Sequence, residues 1–181
     1  MWRTPGIRLP GTVDGFELAV RAVLGQQVSI AAARTFAGRL VVRLGTPLHR
    51  GAGRISHLFP TPEQLAEGSL DGLGLTSARV ETIRMLGELV ALEKLDLTGS
   101  ADLGDTLQVL GDVPGVGAWT RAYIAMRALR DPDAFPATDL GVRRGFETLG
   151  LPSRVPAIRA RADRWRPWRA YAVMHLWLAE P

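Results

Sequence analysis

Apolar residues recur at spacings of three and four along most of this 181-residue chain, and that spacing constrains the fold more than any other feature. It gathers apolar side chains on one face of an α-helix, whereas a half-buried strand needs strict alternation, which no long segment shows. Four helical stripes stand out: Phe16, Val20, Val23 and Leu24; Ile30, Ala33, Ala37, Leu40 and Leu44; Val80, Ile83, Leu86 and Val90; and Trp119, Tyr123, Met126 and Leu129. The sequence therefore predicts an all-α fold.

Helix ends and connectors divide the chain further. Thr61-Pro62-Glu63-Gln64 predicts a helix start, with a capping Thr, Pro at the first position and Gln three residues after the cap. Residues 168–179 are apolar on most sides, which predicts a centrally buried helix. Residues 45–60 and 131–138 are rich in turn-forming residues and predict connectors. We expect one domain of two helical lobes over residues 1–181, with the chain crossing between them near residues 94–100.

Composition excludes several kinds of site. Cysteine is absent, so the chain has no disulfide, thiolate nucleophile, iron–sulfur cluster or cysteine-based zinc site. No stretch approaches the roughly 20 apolar residues of a membrane span, and no apolar run follows the charge in residues 1–5. We expect a soluble, cytoplasmic protein without a membrane partner, associated with the nucleoid if bacterial.

Basic residues outnumber acidic ones, with a net charge of +4. Twenty-one of the 22 basic residues are arginine, and Lys94 is the single lysine. Arginine donates bidentately to phosphate, which favours an anionic partner, but a codon bias would give the same ratio. Composition leaves both explanations open.

Residues 110–120, Leu-Gly-Asp-Val-Pro-Gly-Val-Gly-Ala-Trp-Thr, are the most informative segment. They predict a helix ending near Leu110, a Pro-Gly-x-Gly turn, and a second helix beginning at about Gly117. Glycine at 115 and 117 allows positive φ and close backbone approach, and the N–H groups of the second helix point outward with the positive end of its dipole. Such a turn suits DNA phosphate, although many αα-hairpins use glycine only to turn.

This segment, followed by the loop that leads to Asp139, resembles the signature of helix-hairpin-helix (HhH-GPD) DNA glycosylases, and most of all the DNA-3-methyladenine glycosylase II (AlkA) type. The resemblance covers nearly the whole chain. It implies two helical lobes flanking a base-binding cleft, with the hairpin at about 107–130. The matching segment starts within the first few residues, so we expect no counterpart of the β-containing N-terminal domain of that family, either because this is a compact member or because flanking sequence is missing. Further matching segments are Arg8-Leu9-Pro10-Gly11, Ala22 to Ser29, Phe59-Pro60-Thr61-Pro62, Trp165 to Arg169 and His175-Leu176-Trp177.

Asp139 lies where the 131–138 loop enters a helix. By itself this position predicts a helix cap, formed by Asp139 or by Thr138 before it. The resemblance makes Asp139 the catalytic carboxylate, and one side chain can perform both roles.

The resemblance also assigns the residues around the damaged base. It implies that Gln27, in the Gln26-Gln27 pair, fills the gap left by an extruded base, where some relatives carry a bulky aliphatic residue. A simpler interpretation is an exposed pair at a helix end. The base pocket would be lined by Trp119, Tyr123 and Trp177. Aromatic residues at helical spacing often belong to the core instead. We prefer the core interpretation for Trp165 and Trp168, and weigh the two interpretations evenly for Trp177. The remaining DNA contacts would come from Gln26, Leu75, Thr76, Pro114, Gly115, Val116, Gly117 and Thr120.

Departures from related families narrow the chemistry. Relatives that also cleave the strand place a Schiff-base lysine directly after the hairpin, where this chain has Trp119. No required cofactor is predicted, although the resemblance implies a monovalent cation held by the main-chain carbonyls of Gly111, Val113 and Val116. The three histidines show no metal-ligand spacing, and His175 is interpreted as a hydrogen-bonded core residue.

The sequence thus predicts a monomeric, monofunctional glycosylase that flips alkylated purines such as 3-methyladenine or 7-methylguanine out of double-stranded DNA and hydrolyses their N-glycosidic bond in base-excision repair of alkylation damage. A non-catalytic helix-hairpin-helix DNA-binding module remains an alternative, as does a helical interaction domain.

Overall fold

The computed structural model describes residues 5–53 and 55–179, and the first four residues, which entered the expectation about targeting, lie outside this range. The described residues are mainly helical, which confirms the predicted fold class. The helices are α1 (Gly15–Leu24), α2 (Ile30–Leu44), α3 (Pro62–Glu67), α4 (Ser77–Ala91), α5 (Leu103–Asp112), α6 (Ala118–Arg127), α7 (Leu140–Thr148), α8 (Val155–Ala162) and α9 (Arg169–Ala179).

The predicted connector at 45–60 contains a small antiparallel hairpin, formed by β1 (Pro47–Ala52) and β2 (Ile55–His57). These strands are too short for alternation to be visible in the sequence. The segment leaves α2 at Gly45, where a Cβ atom would lie 2.3 Å from the Leu58 carbonyl oxygen. Glycine is therefore required there by close packing of two backbone segments.

Short polar residues begin most of the longer helices. Thr61 forms the predicted capping box: its hydroxyl accepts from the Gln64 backbone N–H at 3.3 Å, and the Gln64 side chain accepts from the Thr61 backbone N–H at 2.9 Å. Side chains of the same kind cap α1, α2, α4, α5 and α7, namely Asp14, Ser29, Thr76, Asp102 and Asp139. These local contacts explain why helix starts are legible in the sequence.

The core consists of two apolar clusters. The first is built mainly from α1 to α5, with buried residues such as Leu24, Ile83 and Leu110, and the second from α6 to α9. Leu107 and Tyr123 pack against both clusters. The α5–α6 hairpin therefore lies where the two clusters meet.

Two predicted core positions are exposed. Ile30 is the first residue of α2, beside an exposed turn, and is 74% accessible. Trp168 is 53% accessible and makes an edge-to-face contact with Tyr171, so its interpretation as core is wrong, whereas Trp165 is half-buried against Phe135 and Phe146.

The last helix, α9, is amphipathic rather than buried on all sides. It packs on α7 through a stripe that includes Val173 and Leu176, while Leu178 is exposed. Within the described ranges, no helix has the length and apolar character needed to cross a membrane.

Candidate active site

The hairpin between α5 and α6 has the predicted form, with one correction. Gly115 has φ +85°, and a Cβ atom on it would lie 2.2 Å from Oγ1 of Thr82 in α4. The same Thr82 hydroxyl donates to the Pro114 carbonyl at 2.8 Å. Gly115 therefore serves both conformation and packing, whereas Gly117 has φ −80°, which any residue adopts.

The start of α6 is open toward solvent. Gly117 is its N-cap and supplies no capping side chain, and nothing lies within 4 Å of the position that its Cβ would occupy. Backbone N–H groups of the first turn are thus left to an outside acceptor, with the positive end of the helix dipole behind them. Among the predicted DNA contacts in this hairpin, Pro114, Gly115 and Gly117 are exposed, while Val116 and Thr120 are buried.

Asp139 caps α7 and is also bound by two indole groups. Its Oδ1 accepts from the Val142 backbone N–H at 3.0 Å and from Trp177 Nε1 at 2.8 Å. Its Oδ2 accepts from Trp119 Nε1 at 2.9 Å. Three donors on three helices therefore fix the position and plane of one carboxyl group, and the capping interpretation holds together with a place in the site.

The aromatic residues differ in what they offer to a base. Trp119 lines the cleft described below, and Tyr123 stacks on it with ring centroids 5.2 Å apart and planes 15° apart. Trp177 is half-buried and directs its N–H edge at Asp139. Trp119 and Trp177 thus both bind the carboxylate through their edges, a role that the sequence did not indicate.

Gly141, in the first turn of α7, makes room for the Trp177 indole. A Cβ atom at this position would lie 2.7 Å from Trp177 Cδ1 and 3.2 Å from Asp139 Oδ1. Sequence reasoning missed this residue, because its importance depends on how α9 packs against α7. The spacing of Gly two residues after Asp139 is a signal only once that packing is known.

A cleft of about 780 Å³ brings Asp139 and the hairpin together. Its lining comes from three segments: the turn between α1 and α2, the hairpin with the start of α6, and the end of the 131–138 loop. The lining residues are Gly25, Gln26, Gln27, Val28, Ser29, Gly115, Gly117, Trp119, Thr120, Thr138, Asp139 and Leu140. Tyr123 and Trp177 are not among these lining residues: Tyr123 stacks on Trp119, and Trp177 binds Asp139.

The turn between α1 and α2 places two adjacent glutamines differently. Gln26 is half-buried and its amide donates to the hairpin, whereas Gln27 is exposed at the cleft. In the second turn assigned to DNA, the Thr76 hydroxyl accepts from the Arg79 backbone N–H at 3.3 Å. Leu75 is half-buried against the first cluster. Of these four residues, Gln27 is the one that presents a free-standing side chain at the cleft.

Asp133 ties the loop that precedes Asp139 to the start of α9. Its Oδ1 accepts from Arg169 Nε at 2.7 Å, and its Oδ2 accepts from Arg169 Nη2 at 2.8 Å and from Arg166 Nη1 at 2.5 Å. Burial by itself would raise the pKa of Asp133, but the hydrogen bonds and charges of Arg169 and Arg166 outweigh it and lower the pKa below its usual value. This bidentate pair was not predicted.

The hairpin also contains the main-chain carbonyls that were predicted to hold a monovalent cation. The Val113 carbonyl accepts from the Val116 N–H at 3.0 Å, and a carbonyl oxygen keeps a second lone pair for a hard cation. The ligand set of Gly111, Val113 and Val116 stays a prediction. In the part of the chain that the structure describes, no group of three or more His, Cys, Asp or Glu side chains could hold a metal, and burial lowers the pKa of His175.

Comparison with known proteins gives the family. The model of the "HhH-GPD superfamily base excision DNA repair protein" family matches residues 20–170. The chain is 50% identical over 175 residues to the "Probable bifunctional transcriptional activator/DNA repair enzyme AlkA" of Mycobacterium tuberculosis, covering 97% of this chain and 35% of that protein. It is 38% identical over 180 residues to DNA-3-methyladenine glycosylase 2 of Escherichia coli, covering 97% of this chain and 61% of that protein.

Structural comparison agrees. The crystal structure of a DNA-3-methyladenine glycosidase from Bacillus halodurans superposes with a TM-score of 0.74 and 27% identity, covering 96% of this chain and 79% of that one. The chain thus spans between about a third and four-fifths of the length of these relatives. From the family match and the shared fold, the chain belongs to the HhH-GPD superfamily of base excision DNA repair proteins.

Proposed function

We propose that this chain is the catalytic domain of a monofunctional DNA glycosylase that hydrolyses the N-glycosidic bond of alkylated purines in duplex DNA. The observation that carries the proposal is the carboxyl group of Asp139, fixed by three N–H donors in the same cleft as the hairpin. The E. coli and B. halodurans relatives are named for action on DNA-3-methyladenine, which supports the substrate class.

Binding begins at the hairpin. The uncapped first turn of α6 donates backbone N–H groups to a phosphate, and the space beside Gly117 admits its oxygens. The net charge of +4 favours association with the polyanion. Because phosphate contacts release counterions, affinity falls steeply with added salt, which separates this proposal from a helical protein-interaction domain.

The cleft then receives the extruded base. Its volume of about 780 Å³ lies within the range of small-molecule sites and accommodates a purine nucleoside. Trp119 at its wall offers an aromatic face to a cationic purine, a contact worth about 1 to 2 kcal/mol when desolvated. Gln27, which lies at the cleft, fills the gap that the extruded base leaves in the DNA duplex.

Alkylation at N3 or N7 makes the purine a cation, so the base leaves with the electron pair of the glycosidic bond and needs no added proton. Positive charge develops on the sugar, and the Asp139 carboxylate stabilises it. At about 4 Å and an effective dielectric near 20, this attraction is worth about 4 kcal/mol, roughly a thousandfold in rate. Water then adds to C1′, and Asp139 accepts its proton.

The same site lacks the group needed for lysine-dependent strand cleavage. By the resemblance described above, Trp119 stands where strand-cleaving relatives carry the Schiff-base lysine, and Lys94, the single lysine, is an exposed residue after α4. We therefore expect abasic product with an intact backbone, and no protein–DNA adduct after borohydride reduction.

The decisive experiment incubates the protein with methylated duplex DNA and identifies freed bases by chromatography. Wild-type protein should release alkylpurine, with the strand uncut until alkali is added. Asp139→Asn should lose release about a thousandfold while its affinity for undamaged duplex changes less than threefold. Asp102→Asn is the matched control, because Asp102 caps α5 with the same Oδ1-to-backbone bond at 2.9 Å but is not part of the cleft lining.

Two outcomes would contradict the proposal. Equal release by wild type and Asp139→Asn would defeat the assignment of the carboxylate. Salt-sensitive DNA binding without any base release by wild type would favour the non-catalytic DNA-binding module instead.

A further inference from the structure

Gln27, the side chain exposed at the cleft, has a backbone conformation that non-glycine residues seldom adopt. Its φ is +55°, in the left-handed region, which costs about 1 to 2 kcal/mol for an L-residue. Such a residue persists where its surroundings impose the conformation. The contacts that hold the turn here come from Gln26, immediately before Gln27, and from Arg79 in α4.

Gln26 binds the turn to the hairpin through its side chain. Its Nε2 donates to the Gly115 carbonyl at 2.9 Å and to the Thr120 hydroxyl at 2.9 Å, so both amide hydrogens are used. A carbonyl oxygen only accepts, which fixes the orientation of the amide. Both amide hydrogens of Gln26 are therefore used within the protein, where they bind the turn to the hairpin.

The side chain of Arg79 binds the backbone of the same turn. Its Nη2 donates to the Gln26 carbonyl at 2.7 Å, one peptide before the left-handed residue. Arg79 lies in the first turn of α4, and Thr82, three residues further along this helix, donates to the Pro114 carbonyl. Helix α4 thus holds the turn and the hairpin at the same time.

We propose that Gln26 and Arg79 are positioning residues that hold Gln27 ready to enter the gap left by the base, so that backbone grip and gap filling act as one rigid unit. This inference rests on the proposed function. Preorganisation removes the ordering cost from the binding step. Without these contacts, Gln27 samples other conformations, and only the competent fraction binds extruded DNA tightly.

The test compares two duplexes of one sequence at one salt concentration, one undamaged and one carrying a tetrahydrofuran abasic analogue, which needs the gap filled. Gln26→Leu removes the two amide bonds, and Arg79→Met removes the bond to the carbonyl. Each should weaken binding of the abasic duplex about tenfold more than binding of the undamaged duplex. Gln108→Leu, on the exposed surface of α5, is the control and should change neither.

A double variant separates positioning from general destabilisation. Gln27→Ala removes the side chain that is positioned, so adding Gln26→Leu to it should cause little further loss of abasic-duplex affinity. Additive losses would overturn the proposal, as would equal weakening on both duplexes. If Gln26→Leu does not fold, Arg79→Met with Gln27→Ala gives the same comparison.

The two levels of proposal fail differently. If wild-type protein neither prefers the abasic duplex nor releases a base, the proposed function fails and this inference with it. If wild type does both and the Gln26 and Arg79 variants match it, the positioning role alone is wrong.

Discussion

Replacing Asp139 by Asn should destabilise the protein as well as inactivate it, because the site contains three donors and Asn offers a single acceptor oxygen. If that oxygen keeps the bonds from Val142 and Trp177, the new NH₂ group faces Trp119 Nε1 at the present 2.9 Å. Two donors then oppose each other. The reverse orientation leaves two donors without the oxygen and is worse.

The expected cost follows from that mismatch. Losing one charge-assisted hydrogen bond in a half-buried site costs about 2 kcal/mol, which for a chain of this size lowers Tm by roughly 4 to 8 °C. Trp119→Phe removes the opposed N–H group. Adding Trp119→Phe to Asp139→Asn should therefore recover most of the lost stability, giving a coupling free energy of about 2 kcal/mol between the two sites.

Urea and thermal unfolding of wild type, the two single variants and the double variant measure this coupling. The matched control is again Asp102→Asn, which should stay within about 0.5 kcal/mol of wild type because Asn and Asp cap helices equally well. A coupling free energy below about 0.5 kcal/mol would refute the argument that the Trp119 indole is bound to the carboxylate. Base release should be lost in both variants that carry Asp139→Asn.

Gly115→Ala should lower both stability and DNA affinity, because the φ of +85° and the packing at Gly115 leave no room for a Cβ, whereas Gly117→Ala should fold normally and lose DNA affinity alone. Unfolding curves and titrations with undamaged duplex distinguish the two variants, and equal behaviour would contradict the hairpin geometry. Asp133→Asn should unfold more easily than wild type at neutral pH. Because the pKa of Asp133 in the folded protein lies below the usual value of 3.8, the extra stability of wild type is complete above pH 3.8 and disappears as the pH falls through the lowered pKa. A difference in stability that persists in strong acid would count against the ion pair. Gly141→Ala should destabilise the protein by about 1 to 3 kcal/mol, because the added methyl group overpacks against the Trp177 indole, whereas Gly38→Ala, in open space within α2, should stabilise it by about 0.5 to 1 kcal/mol. Thermal unfolding of both variants checks this, and stabilisation by both would contradict the packing of Gly141 against Trp177.

The sequence predicted those features that depend on short stretches of chain. The capping box at Thr61, the buried stripe of α1 and the turn at Gly115 each involve residues that are close together in the sequence, and all three are present. The β-hairpin at 47–57 was missed because its strands are too short to show a period.

Features of the site that depend on packing between distant segments could not be read from the sequence. Asp139 was identified through family resemblance, but its bonds to Trp119 and Trp177 span 20 and 38 residues. The bonds of Gln26 to the hairpin span 89 and 94 residues, so an inward-facing amide looked the same as an exposed one. Sequence periodicity places a residue on a face of its helix and does not say which distant segment that face meets.

The paired indoles give the protein a built-in optical reporter. Two of its five tryptophans bind the same carboxylate, and one of them also forms the wall of the cleft. Indole emission responds to the charge and polarity around the ring, so a purine entering the cleft, or a change of charge at the carboxylate, alters the intrinsic spectrum directly. Occupancy of the cleft can therefore be followed in real time with unlabelled protein and unlabelled DNA.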